Sequence, residues 1–147
     1  MNEFSPDKII IPLTFLPLDE GGVHLLIDAI INGNAIKLLV DTGASKTVFD
    51  KKRIKKLFRK KRFKRHHSLS IGLGTSRMKS HIIMLENFFI GGLTINNFES
   101  VLLNLDNVNK SYQMLGLPAI DGVLGGDVLQ KHKAEIDYGK KQMVLTL

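Results

Sequence analysis

The stretch AIKLLVDTGAS, residues 35–45, places an apolar run directly before Asp41-Thr42-Gly43. Asn32-Gly33 stands just ahead of it, and both residues enter positive φ at little cost. The pair therefore reads as a hairpin turn, with Ala35 to Val40 as the returning strand and Val23 to Ile31 as its partner. Asp41 is expected just past the end of a buried strand.

Working outward, Ile9 to Phe15 reads as an earlier strand, set off by Asp19-Glu20-Gly21-Gly22, so that residues 1–20 form an N-terminal extension or strand. Residues 50–65 can form a short helix on a stripe of Ile54, Leu57, Phe58 and Phe63, though repulsion among its cations argues against a long one. From Ser68 to Leu85 two strands flank Gly72-Leu73-Gly74-Thr75-Ser76, a stretch suited to a mobile hairpin tip. Further strands are expected at 86–90, 93–98 and 100–105, then a loop over 106–119. Ile120-Asp121-Gly122-Val123-Leu124-Gly125-Gly126 forms a second apolar, glycine-rich passage. A short helix from Asp127 to His132 and a closing hairpin of Ala134–Tyr138 with Gln142–Leu147 complete the chain. The sum is one mainly antiparallel β domain over 1–147.

Composition narrows the chemistry. The chain has 147 residues and no cysteine, which excludes disulfides, thiolate catalysis and sulfur-based zinc sites. The net charge of +7 is local: KKRIKKLFRKKRFKR, residues 51–65, holds 11 of the 21 Lys and Arg, leaving 10 against 14 acids elsewhere. This basic insertion reads first as a solvated face; contact with nucleic acid through counterion release is the minor reading. The pair His66-His67 lacks the helical i, i+4 spacing of a metal cradle and reads as solvated loop. No metal or cofactor is expected. Two early acids and the breaks at Pro12 and Pro17 suit neither a secretory leader nor a membrane span, so a soluble, cytoplasmic protein without membrane partners is expected.

Asp-Thr-Gly alone is weak, arising by chance in about one chain in 50 of this size on uniform residue usage. Its context is what carries weight: Leu38-Leu39-Val40 before it, Ala44-Ser45 after it, and the later IDGVLGG passage. In these features, over nearly the whole chain from about residue 20, the sequence resembles the retropepsin-like aspartic peptidases, viral, cellular and bacterial. The resemblance implies a small closed β-barrel with one or two short helices, Asp41 as the catalytic acid, and Thr42, Gly43 and Ala44 as its supporting loop. It also implies a substrate-binding flap at Gly72, Leu73, Gly74, Thr75 and Ser76, and a segment Val123, Leu124, Gly125 and Gly126 that supports the loop from below. A homodimer acting on peptide or protein substrates follows, since amide hydrolysis by carboxylates needs two acids at one water and the chain has one Asp-Thr-Gly. Such a pair shares a proton, as in the standing example of the aspartic proteases. The alternative is a non-catalytic binding or dimerisation module of the same fold, with the basic segment 51–65 contacting nucleic acid.

Two departures stand out. Viral relatives place an arginine in the stretch matching Gly125 to Asp127, paired with an acid just past the catalytic loop, whereas here those places hold Gly126 and Ser45. The basic run has no viral counterpart. Asp121 and Asp127 are expected to bond backbone amides at the turn and the helix start rather than to act as a second catalytic acid.

Overall fold

The computed structural model describes residues 7–58, 64–69 and 78–147. At its centre is the expected hairpin, β3 (Val23–Ile31) and β4 (Asn34–Val40), numbered after β1 (Lys8–Pro12) and β2 (Thr14–Pro17). Asn32 and Gly33 both take positive φ, 50° and 79°, so the turn twists with the strands it joins. After the Asp-Thr-Gly loop come β5 (Val48–Asp50) and α1 (Lys51–Lys55). Then follow β6 (Lys64–Leu69), β7 (Met78–Leu85), β8 (Phe88–Ile90), β9 (Leu93–Ile95) and β10 (Phe98–Leu103). The chain continues through α2 (Asp106–Met114), β11 (Gly122–Leu124), α3 (Gly126–Lys131), β12 (Glu135–Asp137) and β13 (Gln142–Thr146).

The structure is mostly β. Among the described residues, ten strands form the main sheet, in the order β6-β7-β10-β5-β11-β4-β3-β8-β9 with β2 on β3, and it curls into a nearly closed barrel. A smaller sheet, β1-β13-β12, joins the first and last strands. Pairing is mainly antiparallel as expected, but its centre is not: β11 runs parallel to β4, with Val123 opposite Leu39, and β10 runs parallel to β5. Because β11 also pairs with β5, it is wedged between the two strands that carry the Asp-Thr-Gly loop.

The period of two along these strands distributes their side chains to two apolar clusters. Leu38, Phe49, Leu102 and Leu124 enter the larger one, with Ile54, Phe58, Phe88 and Met143. Their neighbours Leu39, Val48, Val101 and Val123 enter or pack on the smaller one, with Leu16, Leu26, Ile120 and Tyr112. Both faces of the central strands are thus buried, which is why they read as continuous apolar runs. Phe49 is wholly buried, and truncating it to alanine would cost about 3–5 kcal/mol.

Several expectations are corrected. Residues 106–114 are helix, not loop: Leu105, Val108, Tyr112 and Leu117 bury on the smaller cluster, and Asn109 clamps Ile120, accepting from its N–H and donating to its carbonyl. The helix within the basic run ends at Lys55; Asp50 caps its start by accepting from the Arg53 N–H, and Ile54 and Phe58 anchor it as expected. Lys64 and Arg65 belong to β6, as do His66 and His67; the strand pairs with β7, His66 opposite Ser80, with an irregularity between His66 and Leu69, instead of forming a loop. Ile9 to Phe15 is divided at Leu13 between β1, which pairs with β13, and β2, which pairs with β3. Phe63 and the Gly72 to Ser76 stretch lie outside the described residues. Among the described residues, no helix is long and apolar enough to cross a membrane.

Candidate active site

Asp41 follows the last residue of β4, and its N–H donates to the Leu124 carbonyl at 3.0 Å, extending the β4–β11 ladder into the loop. The Gly43 N–H turns back to donate to Asp41 Oδ1 at 2.9 Å, and the Ala44 N–H donates to the Asp41 carbonyl at 3.2 Å. The carboxylate is oriented through one oxygen, and among the described residues no hydrogen bond engages the other. Asp41, Thr42 and Gly43 are all exposed, while Ala44 is half-buried against the smaller cluster.

Beneath the loop lies the segment that the resemblance assigns to its support. The Gly126 N–H donates to the Ala44 carbonyl at 2.7 Å, and the Asp127 N–H to that of Ser45 at 3.1 Å. Gly125 allows this approach: a Cβ there would stand 2.5 Å from the Lys46 carbonyl carbon and oxygen and 2.9 Å from the Ala44 oxygen. Val123 and Leu124 fix the segment from within the sheet.

The brace between these segments uses different residues from the viral arginine–acid pair. Asp127 Oδ1 accepts from the Thr47 N–H at 2.9 Å, the Thr47 hydroxyl at 2.7 Å and the Val128 N–H at 2.9 Å. The Thr47 oxygen in turn accepts from the Gly125 N–H at 3.0 Å, and the Ser100 hydroxyl donates to the Thr47 carbonyl. An acid on the helix and a threonine past the loop thus join the same two stretches. Asp121 is engaged at the other end of β11: Oδ2 accepts from the Lys37 N–H at 2.8 Å and Oδ1 from Arg53 Nε at 2.6 Å. Both acids bond backbone amides, as the sequence suggested, and both carry an additional side-chain donor.

Sequence reasoning missed Thr47, the Arg53–Asp121 ion pair, and Tyr112 with its partner His24. Tyr112 is 3% exposed, its hydroxyl lies 2.6 Å from His24 Nδ1, and its pKa is raised, first by burial and then by the negative charge of Asp41. The signal for Tyr112 was available in the spacing of Leu105, Val108, Tyr112 and Leu115, which repeats at helical intervals through an otherwise polar stretch. A cavity of about 320 Å3 lies between α1 and α2, lined by Arg53, Asp106, Lys110 and Gln113 among others; no residue of the Asp-Thr-Gly loop borders it.

Comparison with known proteins agrees with this geometry. The aspartyl protease family matches residues 27–128. Among solved structures, a retropepsin-like aspartic protease from Rickettsia conorii is similar with a TM-score of 0.60 at 25% identity, covering 94% of this chain and 89% of that one. The retroviral protease-like domain of Ddi1 from Leishmania major gives 0.56 at 19% identity, over 83% of this chain and 87% of its own. The EIAV protease complexed with the inhibitor HBY-793 gives 0.51 at 17%, over 83% and 99%. The last two likenesses concern the fold alone. Comparison with curated protein sequences gives no match. The matched residues include β4, the Asp-Thr-Gly loop and the β11 segment beneath it, and the chain belongs to the aspartyl protease family, with a retropepsin-like fold.

Proposed function

We propose that the chain is one subunit of a homodimeric aspartic endopeptidase whose two Asp41 carboxylates share a water across a two-fold axis. The observation that carries this reading is the state of the three acids. Asp41 stands exposed in its loop, oriented by the Gly43 amide, while Asp121 and Asp127 are each committed to a backbone amide and a side-chain donor. This supports a second acid supplied by a second copy, through an isologous contact that places identical loops face to face.

In such a pair, like charges at close range prevent both acids from ionising, so one stays protonated. The carboxylate takes a proton from the water as it attacks the scissile carbonyl, and the carboxylic acid donates to the carbonyl oxygen. Thr42, next to Asp41 and exposed, offers a hydroxyl to link the two loops. An extended peptide would be held by main-chain hydrogen bonds as an added strand, beneath flaps assigned to Gly72 through Ser76. Activity should be bell-shaped in pH. Ala44 brings no hydroxyl to the carboxylates, which favours an optimum from mildly acidic toward neutral.

The test is hydrolysis of a diverse peptide library with and without an aspartic-protease transition-state inhibitor. Asp41→Asn should lower turnover by about a thousandfold or more while the fold persists. Undiminished turnover in a folded Asp41→Asn protein would remove Asp41 from the mechanism.

A further inference from the structure

His24 and Tyr112 come from opposite sides of the loop. Leu25 pairs with Val40, so His24, one residue earlier, and Asp41, one residue later, occupy facing positions just beyond the end of the β3–β4 ladder. Tyr112 reaches the same place from α2, through the cluster on which Leu39 and Ala44 pack from either side of the aspartate. The phenol oxygen and His24 Nδ1 are 2.6 Å apart, with ring centroids at 5.8 Å.

We propose that Tyr112, held by His24, is a positioning residue for Asp41, and that the direction of the His24–Tyr112 hydrogen bond links the ionisation of Asp41 to the protonation of His24. A neutral imidazole accepts the phenol O–H at Nδ1; an imidazolium has only donors, so Nδ1–H must then donate to the phenol oxygen. Protonation therefore inverts the bond, frees the Tyr112 O–H to reorient, and adds a positive charge facing Asp41. Both changes favour the carboxylate. The apolar residues that share its cluster are Leu16 from β2, Leu26 from β3, Val48 from β5, Val101 from β10 and Val123 from β11. Of the charged residues on its own helix, Asp106 is paired with Lys52, and Lys110 borders the cavity toward α1. Asp41 is the charge that acts on the phenol, and it raises the pKa of Tyr112 beyond the effect of burial.

The inference rests on the proposed role of Asp41, but its first test needs no turnover. The chain has two tyrosines, so in a Tyr138→Phe background the tyrosinate absorbance reports Tyr112 alone. Adding Asp41→Asn should move that titration midpoint down, leaving the elevation that burial causes. An unchanged midpoint would overturn the coupling. The second test is the pH profile of kcat/KM. His24→Gln keeps a hydrogen-bonding side chain that cannot become charged, and Tyr112→Phe keeps the ring. Each should move the acid limb up, His24→Gln the further because it also removes the charge, and the double variant should move it no further than His24→Gln alone. Reduced rates with an unmoved acid limb would mean that the pair is merely structural and would overturn the proposal. A shifted Tyr112 midpoint in a protein without peptidase activity would support the coupling and sink only the peptidase reading.

Discussion

Thr47→Val isolates the brace that stands where the viral arginine pair would be. Thr47 is 1% exposed and nearly isosteric with valine, so the substitution opens no cavity and removes only a hydroxyl. That hydroxyl donates to Asp127 Oδ1 at 2.7 Å and accepts from the buried Gly125 N–H at 3.0 Å. Stranding a buried amide costs about 1–3 kcal/mol, and a hydrogen bond to a charged acceptor contributes about 1.5–3 kcal/mol. Asp127 keeps the amides of Thr47 and Val128, which softens the second loss, so the net effect should be about 3 kcal/mol. Thr47→Ser keeps the hydroxyl and loses one methyl, for about 1 kcal/mol. Urea denaturation at a single fixed protein concentration, because association would shift apparent stability, should rank valine well below serine. Serine equal to or worse than valine would mean that Thr47 is held by packing, and the hydrogen-bonded brace would have to be abandoned.

Two glycines should respond through different physics. Gly125→Ala drives a methyl into backbone at 2.5 Å with no adverse φ and should cost about 3 kcal/mol, whereas Gly33→Ala meets open space at φ +79° and should cost about 1 kcal/mol; denaturation midpoints that reverse this order would contradict the packing described under the loop. The raised pKa of Tyr112 also has a consequence for stability at high pH. The unfolded tyrosine ionises first, so stability is full below the ordinary value of 10.0 and declines as pH rises from there through the raised folded value. Tyr112→Phe should flatten that alkaline decline, and an equally steep decline in the variant would assign it to other groups.

The hairpin around Asn32-Gly33 was legible because turn chemistry and strand period agree there, and the position of Asp41 followed from it. Much of the scaffold was equally local: Gly91 turns β8 into β9, and the last two strands close as expected. What stayed hidden depends on contacts distant in sequence. No local pattern says that β11 slides between β4 and β5, that Thr47 meets Asp127, or that Arg53 reaches Asp121. The helix at 106–114 was masked for another reason: its asparagines are weak helix formers, and Tyr112, Leu105 and Val108 outweigh them only once the smaller cluster exists to receive them.

The central claim is that one Asp41 makes half a site, and mixed subunits test it most directly. Wild-type and Asp41→Asn chains are unfolded together in equal amounts, refolded so that they pair at random, and assayed on a cleavable peptide. About a quarter of the dimers then carry two intact aspartates, and activity per wild-type chain should drop to about half. Specific activity should also fall on dilution as the subunits separate. Activity per wild-type chain that does not change on mixing, in a species shown to be monomeric, would contradict the account.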